Sequence, residues 1–407
     1  EYAPPNYYGA AHVQSMKRTT SPEMNALVGC VRAFLSPGGG AALETGVAQP
    51  LDWDALLRMA DDHSVTPLVA YVVCEQEAGL APAKARRRLQ ERFLQITKNN
   101  LAGLQEWRRL LRALGQAGVP VITFKGPALG LSAYGNVALR EFHDLDLLVR
   151  PEHIGQVRDL LVRDGYSLWS PLVGGSDAAL ARSSNRQVCF TNKERGTSVD
   201  LHWGALHEMF SFQLEGDELW RGAYVERNEE MAYLALSPEH LLLYLCAHGA
   251  KHCWRNLCWL SDIACHVQSH PATDWEACTR MANSSGCGLL LEHTLLLAEQ
   301  VLGLQVPGGS RSYEDDESAQ ALADMAQAFL FREHGEHPGY LGPLRYHLAL
   351  AKGWREGASL FFQRVFVPAE PDWDRVRLPR PFHFLYYVVR PVRFVVERIM
   401  VAGRSSR

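Results

Sequence analysis

The chain has 407 residues, a formal net charge of −4, 47% hydrophobic residues and 21% charged residues. This is an ordinary globular composition, and the length predicts two or three domains. A charge so close to neutral excludes a general attraction to nucleic acid or to an anionic membrane, although a local basic patch is compatible with it. We therefore expect no nucleic-acid partner.

The number and spacing of the cysteines indicate the cellular compartment in which the protein folds. The chain has nine cysteines, an odd number, and no two of them are spaced as Cys-x-x-Cys. This pattern favours reduced thiols in a cytoplasmic protein. The N-terminus lacks the basic and apolar regions of a signal peptide, and no apolar run is long enough to predict a transmembrane segment.

The pattern of apolar residues changes twice along the chain. Residues 1–21 are rich in Pro, Tyr, Gly and Ser without periodicity, and we predict a flexible N-terminal arm there. Helical spacing predicts a helical N-terminal domain over 22–117. A mixed core follows over 118–235, and helical spacing returns in a C-terminal domain over 236–407.

Within the core, short apolar runs predict strands at 119–124 and 146–149, with a helix over 127–134 between them. Residues 187–191 and 197–203 flank a polar, Gly-containing turn and predict a β-hairpin. The core is therefore predicted to be a small mixed sheet with flanking helices, which gives the chain an α+β fold.

Three carboxylates of the core form the main candidate site. Asp144 and Asp146 flank one leucine, and the period of two in a strand turns both side chains to one face. Asp200 lies in the second strand of the predicted hairpin. Adjacent carboxylates repel unless a cation lies between them, and Mg²⁺ binds through one or two carboxylates plus substrate phosphates. The pattern indicates a metal-dependent, phosphate-handling site; the alternative is that all three are solvated strand or turn acids.

Two residues between the first core strand and the first core helix extend this candidate site. Gly126 would let the backbone approach a phosphate closely, and Lys125 would neutralise charge on a triphosphate. The alternative is that Lys125 is a solvated side chain. The Gly-rich loops typical of kinases and P-loop proteins, GxGxxG and GxxxxGK[ST], do not occur in the sequence.

A helix predicted to begin near residue 237 carries a second candidate site. His248 and His252 are four residues apart and therefore share a face, with Lys251 beside them. One interpretation is a helical wall that contacts nucleotide or acceptor. Another is a helix-packing motif in which Trp259 is a core anchor and Asp262 bonds a histidine. A zinc site is a weaker alternative, because finger spacing is missing from Cys246, Cys253 and Cys258.

The C-terminal region contains an aromatic and basic stretch over residues 382–398. It is compatible with a basic helix at a membrane interface, or with arginines that meet an acidic acceptor. The interpretation that the sequence favours is a packed helix whose basic residues face solvent.

Taken in order, these motifs resemble a known family. The segments that carry the resemblance are residues 124–129 (FKGPAL), Arg140, 144–149 (DLDLLV), 165–166 (GY), 199–203 (VDLHW) and 248–252 (HGAKH). They look like the uncharacterised bacterial nucleotidyltransferase family of the DNA polymerase β-like nucleotidyltransferase superfamily. The resemblance covers about residues 50–400 of this chain.

The resemblance implies a polymerase β-like nucleotidyltransferase core, enclosed by N- and C-terminal helical regions. It implies that Asp144 and Asp146 hold Mg²⁺ or Mn²⁺ and that Asp200 shares the catalytic metal, so these three are the catalytic and metal-binding candidates. The candidates for nucleotide binding are then Lys125, Gly126, Arg140, His248, Lys251 and His252.

The implied reaction moves a nucleoside monophosphate from an NTP to a hydroxyl or phosphate of a small-molecule, sugar or peptide acceptor and releases pyrophosphate. Where the superfamily has Gly-Gly or Gly-Ser, this chain has Gly126-Pro127, and proline has no N–H to donate, so we expect Lys125 to contact the phosphates. Arg140 either adds charge there or pairs with a carboxylate. Two alternatives stay open: a non-catalytic nucleotide- or peptide-binding module on the same fold, and a kinase-like phosphotransferase.

Overall fold

The structure of the protein is a computed structural model. It describes residues 20–36, 51–76, 80–168, 186–204, 217–227, 231–306, 317–332, 341–351, 353–367, 372, 376, 378–393 and 396. The arm predicted over residues 1–21 lies outside this set, except for its last two residues. None of the nine cysteines, all of which are described, forms a disulfide.

The described residues that precede the sheet are helical. Its elements are α1 (Pro22–Leu35), α2 (Trp53–Asp62), α3 (Thr66–Ala70), a π-helical turn (Tyr71–Gln76) and the long α4 (Ala83–Gln116). Side chains that precede two of these helices cap them: Ser21 accepts a hydrogen bond from the Met24 amide, and Asp52 accepts from Asp54 and Ala55.

The described residues of the core form a mixed sheet of seven strands in the order β3-β4-β5-β2-β1-β7-β6. Strand β2 runs parallel to β5 and antiparallel to β1, and β1 runs parallel to β7. The core elements are β1 (Ile122–Thr123), α5 (Gly126–Ser132), β2 (Asp144–Leu148), α6 (Ile154–Arg163), β3 (Ser167–Leu168), β4 (Gln187–Asn192), β5 (Thr197–His202), α7 (Asp217–Gly222), β6 (Tyr224–Arg227) and β7 (Ala232–Ala235).

This architecture confirms the predicted α+β class and the β4–β5 hairpin. The first predicted strand is shorter than expected, because only Ile122 and Thr123 pair with neighbouring strands. Strands β3, β6 and β7 were not predicted from the sequence. These strands have two to four residues, too few for a period of two to stand out.

The described C-terminal region is again helical. Its helices are α8 (Pro238–Lys251), α9 (Leu257–Ser269), α10 (Trp275–Ser285), α11 (Gly288–Leu302), α12 (Glu317–Leu330), α13 (Leu341–Ala349) and α14 (Trp354–Phe366), followed by a 3₁₀ segment (Arg380–Leu385) and a helical stretch at 386–393. Helix α8 begins where predicted, with the Ser237 hydroxyl accepting from the His240 amide at 3.3 Å. Within the described residues, no helix is both long and apolar enough to span a membrane.

The two faces of the sheet pack against different cores. Leu145 and Leu147 of β2 belong to a core that includes Trp107 in the C-terminal half of α4. Leu148 and Phe124 belong to the other core, which contains α1 and α8 to α12. Asp144 and Asp146 alternate with Leu145 and Leu147, so they lie on the face that α8 and α9 cover.

Candidate metal and nucleotide site

The register of two parallel strands brings the acidic residues together. Asp146 of β2 lies directly opposite Asp200 of β5, and Asp144 lies opposite Ser198. Because side chains alternate along a strand, His202 of β5 points to the same face as Asp200. One face of the β2–β5 pair therefore carries all three predicted carboxylates and a histidine.

Asp146 is the most buried member of this group, with 1% of its surface exposed. Its Oδ1 lies 3.3 Å from Lys125 Nζ and 3.1 Å from His202 Nε2. Burial alone would raise the pKa of Asp146, but Lys125 and His202 outweigh it and hold the pKa well below its ordinary value. Among the described residues, the buried Oδ2 of Asp146 has no hydrogen-bond partner.

Asp146, Asp200 and His202 each offer one donor atom, and these atoms lie within 4.8 Å of one another. In the described part of the chain this is the only group of at least three histidine, cysteine or acidic residues so arranged; the zinc alternative is not among such groups. Two carboxylates and an imidazole suit a divalent metal ion. His202 was not among the predicted site residues, although its spacing of two from Asp200 indicates that it shares that face.

Asp144 lies outside that close group but within its electric field. Burial is the main reason that the pKa of Asp144 is raised, and the neighbouring Asp146 carboxylate raises it further, while Lys125 partly offsets both. The cluster therefore holds more negative charge than Lys125 alone neutralises, which is the condition that favours a bound cation.

Gly126 brings Lys125 next to the acidic strand. Its φ of +52° lies in the left-handed region, and a Cβ there would be 3.0 Å from the Asp144 carbonyl oxygen. Lys125 is 8% exposed, so the alternative of a solvated lysine is wrong. Burial acts to lower the pKa of Lys125. The Asp146 carboxylate, with smaller contributions from Tyr244 and Asp144, raises it by more, so the pKa of Lys125 lies above its ordinary value.

Arg140 forms a bidentate ion pair with Asp262 of α9. Its Nε donates to Oδ1 at 2.8 Å and its Nη2 donates to Oδ2 at 2.9 Å, while the Tyr134 hydroxyl donates to Oδ1 at 2.7 Å. Of the two interpretations of Arg140, pairing with a carboxylate is the one observed. The suggestion that Asp262 bonds a histidine is wrong, because its hydrogen bonds come from an arginine and a tyrosine.

A row of rings on α8 adjoins the acidic site. Tyr244, His248 and His252 are spaced by four residues, with ring centroids 6.0 Å and 4.9 Å apart along the row. The ring of Tyr244 lies 4.7 Å from that of Phe124, and Lys125 Nζ is 5.9 Å from the Tyr244 centroid. The row therefore begins at the lysine that binds Asp146.

The two histidines of this row are neutral at ordinary pH. Burial is the main cause that lowers the pKa of His252 to about 3, and Lys251 lowers it further. Burial likewise lowers the pKa of His248 well below its ordinary value, with Lys125 as the next cause. Trp259 is half-buried and stacks on His252 at 4.8 Å, so the row ends in a partly accessible aromatic surface.

The fold and the site thus define a mixed α+β protein whose sheet carries a candidate cation-binding carboxylate pair. A family model described as "Uncharacterised nucleotidyltransferase" matches residues 49–303, which is more than half of the chain, and the chain belongs to this family. The match confirms the prediction of an uncharacterised nucleotidyltransferase family, and the matched range includes every candidate site residue. A search of curated proteins finds no match.

Proposed function

We propose that this chain is a nucleotidyltransferase that moves a nucleoside monophosphate from an NTP to a hydroxyl or phosphate of a small-molecule, sugar or peptide acceptor and releases pyrophosphate. The observation that carries the proposal is the group Asp146, Asp200 and His202, in which Asp146 Oδ2 is buried without a partner. A buried carboxylate oxygen left unsatisfied costs roughly 1–3 kcal/mol or more, and a bound cation would remove that cost.

The carboxylates on this face fit Mg²⁺ or Mn²⁺, which take oxygen ligands. In this proposal Asp144, Asp146 and Asp200 are the catalytic and metal-binding residues, and His202 supports Asp146. When bound, such a cation would offset charge on the phosphates and lower the pKa of the acceptor hydroxyl. Lys125 and His202 keep Asp146 ionised and oriented. Asp200 is half-buried and, from the described residues, accepts only a long hydrogen bond of 3.4 Å from Gln187, which leaves it open to a ligand from solvent.

The nucleotide would lie between this site and α8. Lys125 and Gly126 face the phosphates in this proposal, and Lys251 adds positive charge. The neutral rings of His248 and His252 offer a surface on which a planar base can stack without an electrostatic penalty. Arg140, already paired with Asp262, contributes through its charge and fixes the approach to β2.

The strand arrangement supports a polymerase β-like core. The paired acids lie on β2 and the third acid lies on the adjacent parallel strand β5, which is the order implied by the bacterial family that the motifs resemble. In this proposal the core spans 118–235, and helical regions over 22–117 and 236–407 enclose it.

The first test measures the melting temperature with each of the four NTPs, with and without Mg²⁺ or Mn²⁺. A ligand that binds only the folded state at about a hundred times its Kd stabilises it by about 2.7 kcal/mol. We expect a cation-dependent rise for at least one NTP, lost in Asp144→Asn and Asp146→Asn. The control Glu226→Gln removes an acid from the far edge of the same sheet and should keep the rise.

The second test follows the label in NTPs carrying ³²P on the α- or the γ-phosphate, with a panel of sugars, peptides and phosphorylated small molecules. Transfer of the α-label with release of pyrophosphate is the expected result, and Asp146→Asn should lose about a thousandfold in turnover. Transfer of the γ-label would instead identify a kinase-like enzyme. A melting shift without transfer to any acceptor would favour the binding module.

A further inference from the structure

Exposed apolar side chains are concentrated near the C-terminus of this protein. Among the described residues, eleven of the seventeen large hydrophobic side chains that are exposed lie within residues 354–396. Scattered exposed apolar residues are normal, but a concentration of aromatic ones marks a contact surface.

Helix α14 turns an aromatic row away from the protein. Trp354, Phe362 and Phe366 are separated by multiples of four residues, which places them on one side of the helix. Trp354 is 79% exposed, and the rings of Phe362 and Phe366 stack with centroids 5.0 Å apart. Leu360 lies on the opposite side and is buried. Helix α14 therefore has two apolar sides, one packed against the protein and one that no described residue covers.

The helical stretch at 386–393 shows the same feature more sharply. Val388 and Val392 of this stretch, and Phe384 near the end of the preceding 3₁₀ segment, are spaced by four residues and are each more than half exposed. Arg390 and Arg393 instead turn inward, with side-chain nitrogens 3.4 Å and 2.8 Å from the carboxylate oxygens of a fully buried aspartate, Asp372. The expectation that basic residues of this helix face solvent is therefore wrong for these two arginines, because a buried counter-ion pulls them in.

This region is also basic, although the whole chain has a net charge of −4. Residues 354–407 contain ten arginines and five acidic residues. Outside the buried cluster of Arg390, Arg393 and Asp372, eight arginines and four acidic residues remain. Arg355 is exposed and its guanidinium lies 5.5 Å from the centre of the Trp354 ring. Exposed Trp, Phe and Tyr with flanking arginine is the composition of a surface that enters the headgroup region of an anionic bilayer.

We propose that the protein binds peripherally to membranes that contain anionic lipid, through the outer faces of α14 and of the 386–393 helix. We call these the C-terminal apolar faces; their central residues are Trp354, Phe362, Phe366, Phe384, Val388 and Val392. A second copy of the chain is a poorer partner, because a two-fold interface sets each patch against itself and would bring two basic regions together. This inference does not depend on the proposed enzymatic activity.

The test is flotation of the full chain with vesicles of phosphatidylcholine alone or mixed with phosphatidylglycerol. We expect binding to the mixed vesicles, weakened by added salt because the attraction to the headgroups is screened. The variant Phe384→Ser/Val388→Ser/Val392→Ser should lower the partition into vesicles about a hundredfold, since three apolar side chains no longer enter the bilayer.

The matched control is Leu94→Ser/Leu101→Ser/Val162→Ser, whose side chains are similarly exposed at 54%, 46% and 54% but lie on α4 and α6. It should bind like the unchanged protein, and melting temperatures confirm that both variants fold. If the first variant fails to fold, Trp354→Ser/Phe362→Ser on α14 replaces it.

Three results would overturn the proposal. One is a failure of the unchanged protein to bind mixed vesicles at low salt, and another is equal binding by the first variant. The third is a dimer by light scattering that the same substitutions convert to a monomer, which would assign the faces to a second copy.

Discussion

Asp146 and Asp262 are equally buried carboxylates on the same side of the sheet, yet their surroundings differ. Asp262 uses both oxygens, in bonds to Arg140 and to Tyr134. Asp146 receives both of its partners on Oδ1 and leaves Oδ2 without one among the described residues. A satisfied ion pair ties α9 to the core, whereas an unsatisfied carboxylate facing another acid is suited to a ligand.

The largest expected change in stability comes from breaking the Arg140–Asp262 ion pair. Asp262→Asn leaves the guanidinium of Arg140 buried without its counter-ion, and we expect the free energy of unfolding in urea to fall by about 3–5 kcal/mol, with or without a divalent cation. Asp217→Asn is the control: it breaks an exposed pair with Arg150 and should have little effect. A loss at Asp262 no larger than that of the control would show that this pair does not anchor α9.

Removing a charge from the Asp146–Asp200 pair should change the free energy of unfolding in the opposite direction. Asp146 and Asp200 lie directly opposite each other, and like charges in this position destabilise a sheet. Without a divalent cation, Asp200→Asn should therefore raise the free energy of unfolding by roughly 0.5 kcal/mol. The same variant should lose the stabilisation by Mg²⁺ or Mn²⁺. Urea denaturation at several cation concentrations measures both, and a variant that keeps the cation effect would remove Asp200 from the metal site.

The smallest expected effect is the pH dependence contributed by Asp144. Burial and the Asp146 charge raise the pKa of Asp144 above its ordinary value of 3.8. The folded state therefore binds a proton more tightly than the unfolded state does, so this group stabilises the protein at low pH. That contribution is lost as the pH rises from about 3.8 through the raised pKa of the folded protein.

The measurement compares unfolding free energies of the unchanged protein and Asp144→Asn across that pH range without divalent cations. The difference should move in favour of the variant as the pH rises, and added Mg²⁺ should reverse this. A difference that is constant with pH would mean that Asp144 does not share the field of Asp146.

Local patterns predicted the parts of the fold that local geometry controls. The β4–β5 hairpin followed from two apolar runs around a Gly-containing turn, and the structure begins α8 near residue 237, where it was predicted. Strands β6 and β7 were not predicted because four residues show too little alternation to indicate a strand. They are stabilised by pairing with each other, and β7 also pairs with β1.

Only the part of the candidate site that local geometry controls was predicted from the sequence. Asp144 and Asp146 share a face because a strand alternates, which sequence alone determines. The sequence could not show which carboxylate pairs with Arg140, because Asp262 is 122 residues away along the chain. His202 was overlooked because its contact with Asp146 exists only once β2 and β5 lie side by side.

The sequence by itself determined the α+β class, the order of motifs that identifies the nucleotidyltransferase family, and the shared face of the β2 acids. These depend on backbone periodicity and on residue types at fixed spacing. Tertiary structure alone decided which carboxylate is satisfied and which side of the C-terminal helix meets solvent. Such choices depend on counter-ions brought from distant segments, since a buried charge takes whichever partner the packing places beside it.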